Sequence, residues 1–283
     1  MTSILVGLDG SLRGECALAW AVARAKVTQA SLTLITVVDP SIVRVTGLSV
    51  DTARQTAENL LRAHRVTLAK SEPELEVRTQ VAEDAFIDAV VDAVPGNDLV
   101  VVGSHKGATL AETIGGAKGL KVSLAVDVPV VVVPANWSDQ AANGAVVVGV
   151  GPDDVSDAAV RFGAETAAAT GVPLQLVSVW GVPALLARPA EAMGGGLSPV
   201  RDEFEQRLSA WEAQLIELHP GLHIETKTVE GSPAKALSDV AAQAGLLVLG
   251  THARGAVGRA LFGSVTHGVL SRLTVPTVVV PNR

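Results

Sequence analysis

The chain has 283 residues and a formal net charge of −7; 48% of the residues are hydrophobic, yet only 3% are aromatic and none is tyrosine. That length accommodates two domains whose cores are built from Val, Leu, Ile and Ala, and the acidic balance excludes a general attraction for nucleic acid or anionic membrane. The single cysteine, Cys16, excludes an intrachain disulfide; no signal-peptide pattern opens the chain and no apolar run approaches the ~20 residues that span a bilayer, so a soluble cytoplasmic protein is expected.

In chain order, Ile4-Leu5-Val6 is a short strand that stops at the turn Gly7-Leu8-Asp9-Gly10. Ser11 can cap the helix that follows, whose small and apolar positions include Cys16, Leu18, Ala19 and Val22. Residues 32–38 are a second strand closed by Asp39-Pro40. A loop is expected next, then a helix over 51–70 with Leu60, Leu61, His64 and Leu68 on one face. Residues 75–81 alternate as a third strand, 85–94 read as a helix, and 99–102 form a continuously apolar strand of the kind buried on both faces. A glycine-bearing loop and a helix over 118–126 lead to Val130-Val131-Val132-Val133, bracketed by prolines.

The second half replays the first. Its strands are expected at 146–149, 174–180, 222–227, 246–249 and 276–280, after a small polar linker over 136–144, so that the domains are 1–135 and 145–283. Partner positions lie 142 apart over the first two strands and 147 apart from the long helix onward. The five extra residues fall in the loop around Met193-Gly194-Gly195-Gly196, for which mobility is expected. Strands alternating with helices give an α/β fold of two doubly wound parallel five-stranded sheets, order 3-2-1-4-5. In such sheets ligands bind beyond the carboxyl ends of the strands, where strand order reverses.

The stretch Val248 to Gly268 joins a strand ending at Gly250 to a loop with His252, Arg254 and Arg259, and then to Gly263-Ser264 at a helix start. Glycine admits close backbone approach and a helix start presents unpaired N–H groups, a combination that suits phosphate. Gly103, His105 and Gly116 repeat the layout in the first half. No G-x-x-x-x-G-K-[ST] occurs, which argues against a P-loop NTPase, and Gly149-Val150-Gly151 lacks the third glycine of a dinucleotide fingerprint, with Asp154 in its place. The histidines have a plain reading as solvated turn residues, Ser264 as a helix cap, and Asp153, Asp154 and Asp157 as an acidic first helical turn. No spacing suggests a metal site or a catalytic group.

These residues resemble the universal stress protein family across the whole chain, in its tandem two-domain form. The family's adenine-nucleotide motif, G-x-x-G, nine residues, then G-[ST], is matched in the second half by Gly250, Gly263 and Ser264, with Ala253 in place of the second glycine. In the first half Gly103 and Gly116 match, while Lys106 and Ala117 depart from it. The family's aspartate after the first strand is present as Asp9, and Gly151 stands at the corresponding place in the second half. The resemblance implies a Rossmann-like fold of the adenine-nucleotide-hydrolase type that binds ATP or AMP, with Mg²⁺ accompanying ATP. It places Leu8, Asp9, Val38, Gly103 and Gly116 at one site, and Val150, Val179, Gly250, Ala253, Gly263, Ser264 and Val265 at the other. The expectation is a non-enzymatic nucleotide-binding regulator of a stress response with little or no turnover, acting with a regulatory protein partner and as a homo-oligomer such as a dimer. The alternative is a scaffold that binds no nucleotide and works through protein or oligomer interfaces. An adenylating enzyme of the same fold would want an S-G-G-x-D-S type loop, which Gly7 to Ser11 lacks.

Overall fold

The first strand, β1 (Ser3–Gly7), buries Ile4, Leu5 and Val6 and is flanked on both sides by parallel strands, β2 (Ser31–Val37) and β4 (Leu99–Gly103). β3 (Val77–Ala82) pairs with β2, and β5 (Val130–Val133) with β4, which gives the order 3-2-1-4-5. The computed structural model describes residues 2–104, 118–138, 143–181, 198–251 and 264–282. It divides into two units, Met1–Gln140 and Ala141–Arg283. In the second unit β6 (Val146–Gly149) is the central strand, between β7 (Leu174–Trp180) and β9 (Leu246–Thr251). β8 (Ile224–Glu230) lies beyond β7 and β10 (Thr277–Pro281) beyond β9, so the same parallel order recurs.

Helices α1 (Leu12–Thr28) and α3 (Val50–Ser71) cover one face of the first sheet, and α4 (Phe86–Ala93) and α5 (Lys118–Ala125) the other. Two glycines show the faces apart: a Cβ on Gly103 would meet Arg13 of α1, whereas one on Gly119 of α5 would meet Val132 and Val102. Ser11 caps α1 as expected, its hydroxyl accepting from the Gly14 N–H at 3.3 Å. Where α1 ends, Gln29 takes the left-handed conformation (φ 52), and Gly171 holds the equivalent place after α6 (Asp157–Thr170) with φ 69. The rest of the second unit is α7 (Ser198–Leu218), α8 (Pro233–Val240) and α9 (Ser264–Leu270). All four tryptophans are buried, Trp20 and Trp137 in the first unit, Trp180 and Trp211 in the second.

Two expectations need correcting. The segment after β2 is not a loop throughout, because Pro40–Thr46 forms a short helix, α2. Asp39 starts it, its carboxylate accepting from the Ser41 N–H at 2.8 Å, with Pro40 preset for a first helical turn. The third strand of each unit also begins later than the alternation suggests, at Val77 and Ile224. Leu75 and Leu222 belong instead to the turns that end the long helices, donating to the Glu72 and His219 carbonyls at 3.1 and 3.0 Å. The glycine-rich loop expected to be mobile lies outside the described residues.

Candidate functional site

Each unit has a cavity at the carboxyl ends of its first and fourth strands, where strand order reverses. In the first unit it measures only about 80 Å³ and is lined by Gly7, Leu8, Asp9, Arg13, Ile35, Val37, Phe86 and Gly103, among others. In the second it reaches about 240 Å³, between the turn Gly149 to Asp153, Val177 and Val179 of β7, Pro233 and Leu237 of α8, the end of β9, and Val265 and Thr266 of α9. The larger volume approaches the ~300 Å³ at which small-molecule sites begin, whereas the smaller has room for only a few waters at ~30 Å³ each. Phe86 lines the first cavity from the position at which Pro233 lines the second, 147 positions on, and its ring is the bulkier of the two.

Of the residues expected at the first site, Leu8, Asp9 and Gly103 line the small cavity. Leu8 is fixed by its N–H donating to the Ile35 carbonyl at 2.8 Å, and the exposed Asp9 carboxylate accepts from the Ser11 N–H at 3.0 Å. Val38 does not line this cavity. It packs away from the cavity against Val43 and Ala57, with its N–H given to the Ala82 carbonyl, and Val37 lines the wall instead. Successive strand residues face opposite ways, so a one-residue shift moves the side chain to the other face. At the second site Val150, Val179, Gly250 and Val265 line one cavity, and Ser264 is the exposed first residue of α9 at its edge. Gly116, Ala253 and Gly263 lie outside the described residues, as do His105, Lys106, Ala117, His252, Arg254 and Arg259.

The strand-end glycines have an internal cause that the motif does not reveal. A Cβ on Gly250 would lie 2.3 Å from the Val155 carbonyl oxygen, and one on Gly103 would lie 2.5 Å from that of Arg13. Val155 and Arg13 are partners at the offset of 142; the first turn of α1 sits directly on Gly103, and the 3-10 turn Asp154–Ser156 that leads into α6 sits on Gly250. Gly103 and Gly250 are therefore required for packing in both units, with or without a ligand.

The floor of the second cavity is held by two polar contacts. Ser178, fully buried, donates its hydroxyl to the Val150 carbonyl at 2.9 Å. Arg207 reaches from α7 to the Asp153 carbonyl and to the Asp157 carboxylate at 2.7 Å, fixing the turn that forms one wall. In the first unit the hydroxyl equivalent to Ser178 is that of Thr36, which is buried without a hydrogen-bond partner among the described residues. Opposite outcomes follow: Ser178→Ala should lower unfolding free energy by about 1 kcal/mol, while Thr36→Val should raise it by a similar ~1 kcal/mol, since an unmet buried hydroxyl is replaced by a methyl. Urea unfolding of both variants checks this, and the same sign for the two would contradict it.

Pro233, Leu237, Thr251, Thr266 and Phe86 line these cavities without having been expected there. The recurring offset of 147 could have pointed to the Phe86 and Pro233 pair, because both open the helix after the third strand. Among the described residues no three His, Cys, Asp or Glu side chains group so as to hold a metal ion, and no helix is long and apolar enough to cross a membrane.

Fold and cavity together define a tandem doubly wound α/β protein with a small-molecule-sized opening at the switch point of its second unit. The sequence profile described as the universal stress protein family matches residues 1–134 and again 143–281. The chain belongs to that family. A universal stress protein of Mycolicibacterium smegmatis is 28% identical over 99% of this chain and 97% of its own, and one of Mycobacterium tuberculosis is 26% identical over 98% and 96%. The crystal structure of a universal stress protein from Archaeoglobus fulgidus superposes with a TM-score of 0.73 at 17% identity, covering 99% of this chain and 98% of that one. That likeness shows the fold.

Proposed function

We propose that this universal stress protein is a nucleotide-binding regulator whose second unit takes ATP or AMP while the first serves as its structural counterpart. The observation that carries the reading is the difference between the cavities, about 240 Å³ behind Pro233 and about 80 Å³ behind Phe86. Val150, Val177, Val179, Leu237 and Leu249 offer flat apolar walls of the kind that hold a base, and Ser264 at the rim could donate to a phosphate. Asp153 is the one ionisable group among the described lining residues. It could meet a ribose hydroxyl or a Mg²⁺ ion carried in with ATP, but it leaves no second carboxylate to share that ion and no evident base for water, which supports binding with little or no turnover. Gly250, Ala253, Gly263 and Val265 keep their proposed places around the phosphates as the family motif arranges them.

Calorimetric titration of ATP and AMP into the full chain, with and without Mg²⁺, tests this. One equivalent should bind per chain with an affinity of about micromolar, near −8 kcal/mol, and phosphate release should not exceed background. Two equal sites would put the first unit on the same footing. No binding would leave the scaffold reading, which the internal packing role of Gly103 and Gly250 already makes consistent with the sequence.

A further inference from the structure

The first unit carries a second opening, larger than its own cavity described above and sharing no lining residue with it. It is a groove of about 600 Å³ between α3 and β3. Arg54, Glu58, Leu61, Arg62 and Arg65 line it from one stripe of α3. Thr79, Gln80 and Val81 line it from β3. Successive strand residues point to opposite faces, so three in a row can border one groove only if it takes in the edge of the strand itself. β3 ends the strand order of its unit and pairs only with β2 among the described residues, leaving its other edge open.

The charges in the groove are unevenly matched. Arg54 is paired with Glu83, whose hydrogen bond and charge hold the guanidinium more firmly protonated than usual, and Glu58 adds to the same field. Arg62 reaches only the Asn59 side chain, at 3.5 Å, and Arg65 has no hydrogen bond or ion pair among the described residues. The second unit provides an internal control. Its equivalent groove keeps Arg201, Glu205, Leu208, Thr226 and Glu230 at the offset of 147, but has Ser209 for Arg62, and Glu212 stands where Arg65 would be. The scaffold of the groove thus comes with the fold, while Arg62 and Arg65, which make no ion pair among the described residues and leave the lining with three arginines against two glutamates, belong to the first unit alone, in a chain that is acidic overall.

We propose that this groove binds an extended acidic peptide segment of a partner protein, laid along the open edge of β3 with its carboxylates on Arg62 and Arg65. The free strand edge supplies backbone donors and acceptors, and the guanidiniums select negative side chains over neutral ones. Arginines that merely guard an edge against aggregation would be the opposing account.

Fluorescence anisotropy of a labelled hexaglutamate peptide with the full chain tests it, with hexalysine and tripolyphosphate as the comparison ligands. Hexaglutamate should bind and hexalysine should not. The R62S/R65E variant, which reproduces the second unit's residues, should bind about tenfold more weakly, as expected for two partly exposed ion pairs. Backbone amide resonances of Thr79, Gln80 and Val81 should shift with the peptide, and S209R/E212R should add a second equivalent. If R62S/R65E does not fold, R62Q/R65Q makes the same comparison. No binding of hexaglutamate, equal binding by the variant, or binding of tripolyphosphate alone would each overturn the proposal. None of these results bears on ATP titration, so the two readings fail separately.

Discussion

Gly250→Ala is expected to lose about 3 kcal/mol of unfolding free energy, at the upper end of overpacking costs. The added methyl would sit 2.3 Å from the Val155 carbonyl oxygen and 3.0 Å from the Ser156 Cα, and backbone cannot swing aside as a side-chain end does. Gly103→Ala meets the Arg13 carbonyl oxygen at 2.5 Å and should behave alike. Gly151→Ala is the control: its Cβ would meet only the Asp153 carboxylate, at 3.2 Å, a flexible side chain. Urea unfolding of the three proteins checks the order, and a Gly250→Ala protein as stable as Gly151→Ala would refute the packing argument. A loss of ligand in Gly103 or Gly250 variants would consequently say nothing about contact with that ligand.

Pro233→Phe should weaken ATP binding by at least about tenfold, or ~1.4 kcal/mol, with little change in unfolding temperature. The substitution gives the second unit the ring that Phe86 puts into the first, at the same position of the helix after the third strand. Phenylalanine already opens α4, so it should not disturb the start of α8. Calorimetry decides: unchanged affinity in a folded Pro233→Phe protein would separate the cavity from the ligand and remove the main support for nucleotide in the second unit.

Much of the fold is legible in the sequence because the sheets are parallel and buried. Runs such as Leu99 to Val102 and Val130 to Val133 are apolar on both faces, and the repeat offsets align every strand of one unit with a strand of the other. Boundaries slip where the chain is polar, as at Leu75 and Leu222, whose alternation continues into turns that hydrogen bonds to Glu72 and His219 decide. α2 is readable from Asp39-Pro40-Ser41, but seven residues give too little periodicity to outweigh its turn-like composition. At the site, glycine spacing identifies the strand ends but does not reveal the packing that also requires them. Whether a glycine faces a ligand or a helix depends on residues 95 positions away, such as Val155 for Gly250, and no local pattern records that. Val38 shows the same limit at the scale of one residue, since adjacent valines at the end of β2 point to opposite faces and only the structure says that Val37 is the one that lines the cavity.

The distribution of the buried tryptophans gives the chain its own optical reporters. With no tyrosine present, near-ultraviolet emission comes from four indoles alone, two in each unit. Trp211 lies under the Arg161 guanidinium, 5.7 Å from the ring centroid, whereas the buried Trp137 indole N–H has no hydrogen-bond partner among the described residues, so these two indoles sit in unlike surroundings. Replacing Trp180 and Trp211 with phenylalanine leaves a spectrum that follows the first unit, and the reciprocal change at Trp20 and Trp137 follows the second. The melting of each half can then be recorded within the uncut chain, without attaching a dye.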